Sequence, residues 1–195
     1  ALMQKLQSAL DSMVFKPVTS IATKPVLKPI YSLTPYLKNA LLTAEDPSFF
    51  GHRGFVEEAV RKSIATNFKR KAFKRGASTI SMQLVKNVYL NRQKTLARKL
   101  EEMLMVWLIE NNRLSSKSRM LEVYVNIIEW GNNVYGIGEA SRYYFEKTPA
   151  ELNLGESIYL ASIVPRPKSS LYFFEYQGNL RSSMVGYFNT IGGLM

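Results

Sequence analysis

The 195-residue chain has no cysteine and a single histidine. Without cysteine there is neither a disulfide nor a thiolate metal site, and one histidine is too few for the usual zinc triads. No apolar run approaches the ~18–20 residues needed to span a bilayer, and the N-terminus lacks a signal-peptide pattern. Acids are scarce too: 15 Asp and Glu against 26 Lys and Arg leave a formal charge of +11. The shortage is concentrated in one place. Between Arg61 and Lys99 there is no acid, while Arg61, Lys62, Lys69, Arg70, Lys71, Lys74, Arg75, Lys86, Arg92, Lys94, Arg98 and Lys99 supply twelve cations. A surplus of this kind selects a polyanionic partner, whether nucleic acid, anionic membrane or phosphorylated substrate. The remaining composition, 46% hydrophobic and 21% charged, is that of a globular protein with one sizeable core.

The opening segment "ALMQKLQSALDSMVF" places Leu2, Leu6, Leu10, Met13 and Val14 at helical spacing. It reads as a packed helix or as the end of a helix leaving a membrane anchor. Pro17, Pro25, Pro29 and Pro35 then make an extended lead-in. Beyond it the pattern is helical, predicting helices near 36–46, 56–70, 79–91, 94–113, 116–128, 136–146, 149–163 and 180–194. No strand pair is expected, and "SLYFFEY" is the one candidate strand. In 94–113 the residues Leu96, Leu100, Met103, Leu104, Trp107 and Leu108 form an apolar stripe expected to be buried, with Arg98, Lys99 and Glu102 turned outward as neighbours at i, i+3 and i+4.

Three short stretches carry candidate chemistry. "TAEDPSFFGHRG" sets Glu45 and Asp46 ahead of Phe49, Phe50 and His52; a lone histidine is more often a hydrogen-bonded structural residue than a base. "GASTISMQLVKN" joins a glycine turn to Ser78 and Thr79, residues suited to capping a helix whose N-terminus favours anions. Gln83, Lys86 and Asn87 lie one turn apart on that helix. "RKLEE" adds Arg98, Lys99 and Glu102, which on an isolated helix would be a solvated ion pair worth about 0–1 kcal/mol.

Taken in order, these stretches and "KSRMLEVYVN" resemble the four motifs of the peptidoglycan glycosyltransferases of glycosyltransferase family 51, the polymerase modules of class A penicillin-binding proteins and monofunctional transglycosylases. The likeness runs from Ser32 to Met195, with residues 1–31 as a lead-in near the anchor, and continues through "YGIGEASRYYFEKTPAELNLGESIYLASIVPRP". It implies a mostly α, lysozyme-like single helical domain. By resemblance Glu45 is the general base and Glu102 a second acid that orients cations or holds a divalent ion. Asp46, Phe49 and His52 belong to the substrate site through the turn that fixes Glu45. Ser78, Thr79, Gln83 and Asn87 are expected to contact sugar or phosphate, and Lys86, Arg98 and Lys99 to stabilise a leaving diphosphate. The resemblance implies lipid II and a lipid-linked growing glycan as substrates, moenomycin-type inhibitors as ligands, and a site of action on the outer face of the bacterial cytoplasmic membrane. The chemistry requires no cofactor, although Mg or Mn is compatible with it. The basic, Phe-containing "NFKRKAFKRG" suits a flap at the membrane surface.

The chain departs from the pattern at Met82, where the family usually has glutamine and a substrate hydrogen bond, and at Val56 and Glu146. Two rival readings stand beside this one. A lysozyme-like hydrolase would share the glutamate and the helices but not the need for diphosphate-matching cations. A nucleic-acid-binding module would share the charge, but the sequence carries no DNA or RNA recognition motif.

Overall fold

The computed structural model describes residues 28–55, 78–90, 96–175 and 180–195, apart from the side chains of Tyr31, Leu96, Ala97, Ser170 and Leu171. The expected helices at the N-terminus and over 56–70, and the basic segment 67–76, lie outside the described residues. Within them the chain is mostly helical. The order is α1 (Pro35–Glu45), α2 (Ile80–Tyr89), α3 (Leu96–Asn111), α4 (Lys117–Ile127), β1 (Glu129–Gly131), β2 (Val134–Tyr135), α5 (Ile137–Phe145), α6 (Leu154–Ile163) and α7 (Ser182–Leu194).

Local chemistry sets where these helices begin. Thr34, Thr79 and Ser116 each turn a side-chain oxygen to an amide of the first turn, as Asn153 does in a full capping box with Glu156. α1 packs along α6, and α7 lies against both. α2 packs against α3 and α4. Leu37, Leu41, Phe49, Ile80, Met82, Val85, Leu121, Tyr124, Ile137, Leu160 and Ile163 fill one continuous core between these groups.

Two expectations about strands are corrected. β1 and β2 form an antiparallel hairpin pairing Glu129 with Tyr135 and Gly131 with Val134. Its turn places Asn133 at a positive φ of 61°, a conformation asparagine tolerates, so "NN" was the available signal. "SLYFFEY", by contrast, is mostly the 3-10 turn Pro167–Phe173, with only Phe174 bridging to Leu180.

The largest correction concerns α3. Leu100, Leu104 and Trp107 are 61%, 57% and 46% exposed, whereas Glu102, Val106, Ile109 and Glu110 are buried. Position 102 stands about 200° around the helix from position 100, so the predicted inner and outer faces are exchanged. Both acids on the inner face have cationic partners. Lys117 lies 2.7 Å from Glu110, which also accepts the hydroxyl of the buried Ser81. The Lys117 ammonium rests 4.4 Å from the centre of the Phe49 ring. This cluster ties α2, α3 and α4 to the turn after α1, and so joins the pieces from which the site is built.

Candidate active site

Glu45 is the last residue of α1, and the chain turns sharply beyond it. The turn is held by Asp46, whose carboxylate is buried and fully used. It accepts the Nε2–H of His52 at 2.9–3.0 Å and the backbone amide of Ile80 at 3.1 Å. Asp46 is thus itself the anion at the N-terminus of α2, where the sequence suggested a place for a ligand. His52 serves this turn, in keeping with a structural role for the lone histidine. Phe49 is fully buried beneath it.

Gly54 explains why the first motif ends in glycine. Its φ is +91°, and a Cβ there would overlap the Val106 side chain of α3. The Gly54 carbonyl accepts the Thr79 hydroxyl at 2.5 Å, and Thr79 in turn accepts the Met82 amide. The first two motifs are therefore clamped together through backbone groups. That gives Asp46, Phe49 and Thr79 a part in the scaffold, where all three are buried. Met82 is likewise in the core, so its replacement of glutamine takes no hydrogen bond from the open site.

The Glu45 carboxylate is held from α2, where Gln83 donates its Nε2 to Oε2 at 2.7 Å. The far end of the same amide accepts the Tyr124 hydroxyl of α4 at 3.0 Å. Gln83, expected to contact sugar or phosphate, is half-buried and makes this link. Burial raises the Glu45 pKa above the ordinary carboxylate value, against the lowering effect of the Gln83 hydrogen bond and of Lys86; the nearby Asp46 adds to the rise. A carboxylate poised in this way is a better proton acceptor than a free one.

One turn along α2 and across to α3 lies a group of cations. Glu102, 1% exposed, has Lys99 Nζ at 2.5 Å from Oε1 and Arg98 Nη1 at 3.3 Å from Oε2. Lys99 also donates to the Ser78 hydroxyl at 3.2 Å. Lys86 extends from a solvent-exposed stretch of α2. Burial around its ammonium draws its pKa down; Glu102 pulls it up, Lys99 and Arg98 push it down, and Glu45 pulls it up. Lys86 therefore lies in the fields of both glutamates. Three cations around one carboxylate leave the group with a surplus of positive charge next to Glu45. Among the described residues no three His, Asp or Glu side chains converge. With its oxygens turned to Lys99 and Arg98, Glu102 does not fit a divalent ion; the surroundings suit an anion. Asn87 is exposed at the end of this face.

Two residues near Glu45 were not singled out by sequence. Tyr124 came as part of a motif with no assigned task. Tyr187 of α7, whose pKa is raised by burial and then by the charge of Glu45, lies where the family pattern fades and no motif marks it.

The fold and site define a helical domain in which a half-buried glutamate stands beside a cation-lined anion site. The chain matches the family model described as Transglycosylase over residues 15–185, and it belongs to that family. It is similar to biosynthetic peptidoglycan transglycosylases from Methylobacillus flagellatus, 39% identical over 77% of this chain and 65% of that protein, and from Dechloromonas aromatica, 41% identical over 72% and 60%. A third such protein, from Chromobacterium violaceum, is 40% identical over 76% of this chain and 63% of its own length. The chain thus spans between 60% and 65% of the length of these relatives.

Proposed function

We propose that this chain polymerises the lipid-linked disaccharide-peptide lipid II into glycan at the bacterial cell envelope. Glu45 takes the proton from the 4-hydroxyl of the acceptor N-acetylglucosamine as that oxygen attacks the donor's anomeric carbon. The new glycosidic bond forms with inversion while the bond to diphosphate breaks, and the electron pair leaves with the undecaprenyl diphosphate. Lys86, Arg98 and Lys99 receive that charge, so no strong general acid is needed. Glu102 keeps the three cations together.

The observation that carries this reading is the pairing of a carboxylate held by Gln83 with a cluster of cations gathered on Glu102, Lys86 lying in the fields of both glutamates. A hydrolase needs the first but not the second. Incubating the chain with lipid II and resolving the products by length tests it directly. Growth of glycan chains is the expected result, and shortening of preformed glycan without growth would assign the site to hydrolysis. Moenomycin-type inhibitors are proposed to bind the same cations.

The substrate is a lipid, and the exchanged faces of α3 suit that. The helix whose inner face holds the cations presents Leu100, Leu104 and Trp107 outward. An exposed apolar stripe beside a strongly basic sequence suits an anionic membrane surface. No described helix is long and apolar enough to cross a membrane, so this contact would lie in the interface. Trp130 is buried, so the emission of Trp107 reports on the stripe. Vesicles rich in phosphatidylglycerol are expected to shift it to the blue, and Leu104→Ser to weaken partition by roughly tenfold, the worth of one large apolar side chain. Unchanged partition in Leu104→Ser would remove the stripe from the membrane contact.

A further inference from the structure

Tyr124 is a fully buried residue of α4 whose hydroxyl is turned to Gln83. It donates to Gln83 Oε1 at 3.0 Å, and Gln83 Nε2 donates to Glu45 Oε2 at 2.7 Å. The three groups form a single line of hydrogen bonds running from the core to the proposed base.

A glutamine amide has a donor end and an acceptor end, and which end meets Glu45 matters. Turned one way, its NH₂ stabilises the carboxylate. Turned the other way, its carbonyl faces the carboxylate oxygens and favours the protonated acid. Gln83 has no preference of its own between these, so its neighbours on the far side decide. A phenol can accept as well as donate, but in the core its proton must find an acceptor, and Gln83 Oε1 supplies it, which sends the NH₂ end to Glu45. We propose that Tyr124 is a positioning residue for Glu45, orienting the Gln83 amide so that it stabilises the carboxylate.

Burial raises the Tyr124 pKa well above the usual phenol value, with the charges of Glu45 and Asp46 adding to the rise, so the phenol keeps its proton at working pH. The other groups facing Glu45 do not set the amide. Asp46 is committed to His52 and the Ile80 amide, while Lys86 acts as a charge from the cation group. Tyr187 lies on α7, which packs on α1, and feels the charge of Glu45. α6, packed along α1, carries Glu156, paired with Lys147 and its own capping box, and Tyr159, stacked among aromatic rings. The inference extends the proposed role of Glu45 as base, but the link itself is a statement about coupling between two side chains.

The test therefore has one arm that does not depend on turnover. With ¹³C-labelled glutamate side chains, the carboxyl resonance missing from Glu45→Gln identifies Glu45, and its titration is followed in Tyr124→Phe, Gln83→Met and the double variant. Tyr124→Phe is expected to raise the Glu45 midpoint by about half to one pH unit, the scale of one lost hydrogen bond to a carboxylate. Gln83→Met should raise it by as much or more. Added to Gln83→Met, Tyr124→Phe should move it no further, because the link is already cut. A midpoint unmoved in Tyr124→Phe, or equal shifts that add in the double variant, would overturn the inference, even if Tyr124→Phe lowers the melting temperature. The second arm is the pH dependence of kcat with lipid II, whose acid limb should follow the midpoint while KM changes little. A midpoint that moves without the acid limb keeps the coupling and instead removes Glu45 as the base.

Discussion

Replacing Glu45 by glutamine is expected to leave a folded domain that makes no glycan. The substitution keeps the shape of the side chain and lets it accept the Gln83 amide, but it removes the lone pair that takes the proton. A positioned base contributes roughly 10²–10⁴-fold, and a loss of that order or greater is the expected outcome in a lipid II polymerisation assay. Moenomycin-type inhibitor binding should persist, because the cations that would hold it are untouched. The pH dependence supplies a second, independent expectation. Burial raises the folded-state pKa of Glu45 above the ordinary 4.5, so between the two values the folded protein holds a proton that the unfolded chain has lost. Stability falls as pH rises through that window, and the whole cost of the buried charge is present above it. Glu45→Gln removes this cost. Its melting temperature should exceed that of the parent near neutral pH, and the gain should shrink as the pH falls toward 4.5. Glycan synthesis by this variant at near-parental rate would remove Glu45 from the chemistry, and a lower melting temperature at neutral pH would show that the carboxylate is a structural anchor instead.

Most helices were legible in the sequence because their caps and periodicities agree. Thr34, Thr79 and Ser116 each stand within two residues of a predicted helix start and cap it, whereas the helix expected from 149 begins only after its cap at Asn153. What periodicity could not supply was the sense of α3. An apolar stripe says that a face avoids water, not which apolar surroundings receive it. The core took the face with Glu102 and Glu110 because Arg98, Lys99, Lys117 and Ser81 were there to satisfy those carboxylates. Those partners lie on three helices, and Ser81 and Lys117 belong to neighbours of α3 that its own periodicity says nothing about.

The site was legible in its members and less so in their tasks. Asp46, Thr79 and Gln83 sit in motifs that suggest contact with a substrate. In the folded chain their side-chain polar atoms are turned on His52 and the Ile80 amide, on Gly54 and the Met82 amide, and on Glu45 and Tyr124. Such residues are needed at fixed spacing for the same reason a binding residue would be, since a turn that fixes a carboxylate tolerates few substitutions. Only the three-dimensional pairing separates the two cases. Tyr187 shows the opposite limit. It comes from a stretch without a motif and reaches Glu45 only through the packing of α7 on α1.

Lys86 is where the proposed chemistry meets its sharpest test, because it lies in the fields of both glutamates. Lys86→Met keeps most of the aliphatic stem and removes the charge. Were Lys86 only a surface cation on α2, its loss would change stability by no more than about 0.5 kcal/mol and leave turnover alone. As a clamp on the leaving diphosphate, its removal should lower kcat with lipid II by roughly 10²-fold or more, the scale on which one preorganised charge stabiliser acts in a transition state. A further consequence distinguishes Lys86 from a general weakening of the site. Its charge lowers the pKa of Glu45, so Lys86→Met should also move the acid limb of the rate profile upward. Arg98→Met, which removes a direct partner of Glu102, should reduce turnover with less of that movement. Melting temperature, kcat and the acid limb measured together on both variants decide the matter. Parental turnover in both would leave the cations of α2 and α3 without a part in the reaction, and an acid limb that moves equally in both would mean that they act on Glu45 as one undivided field.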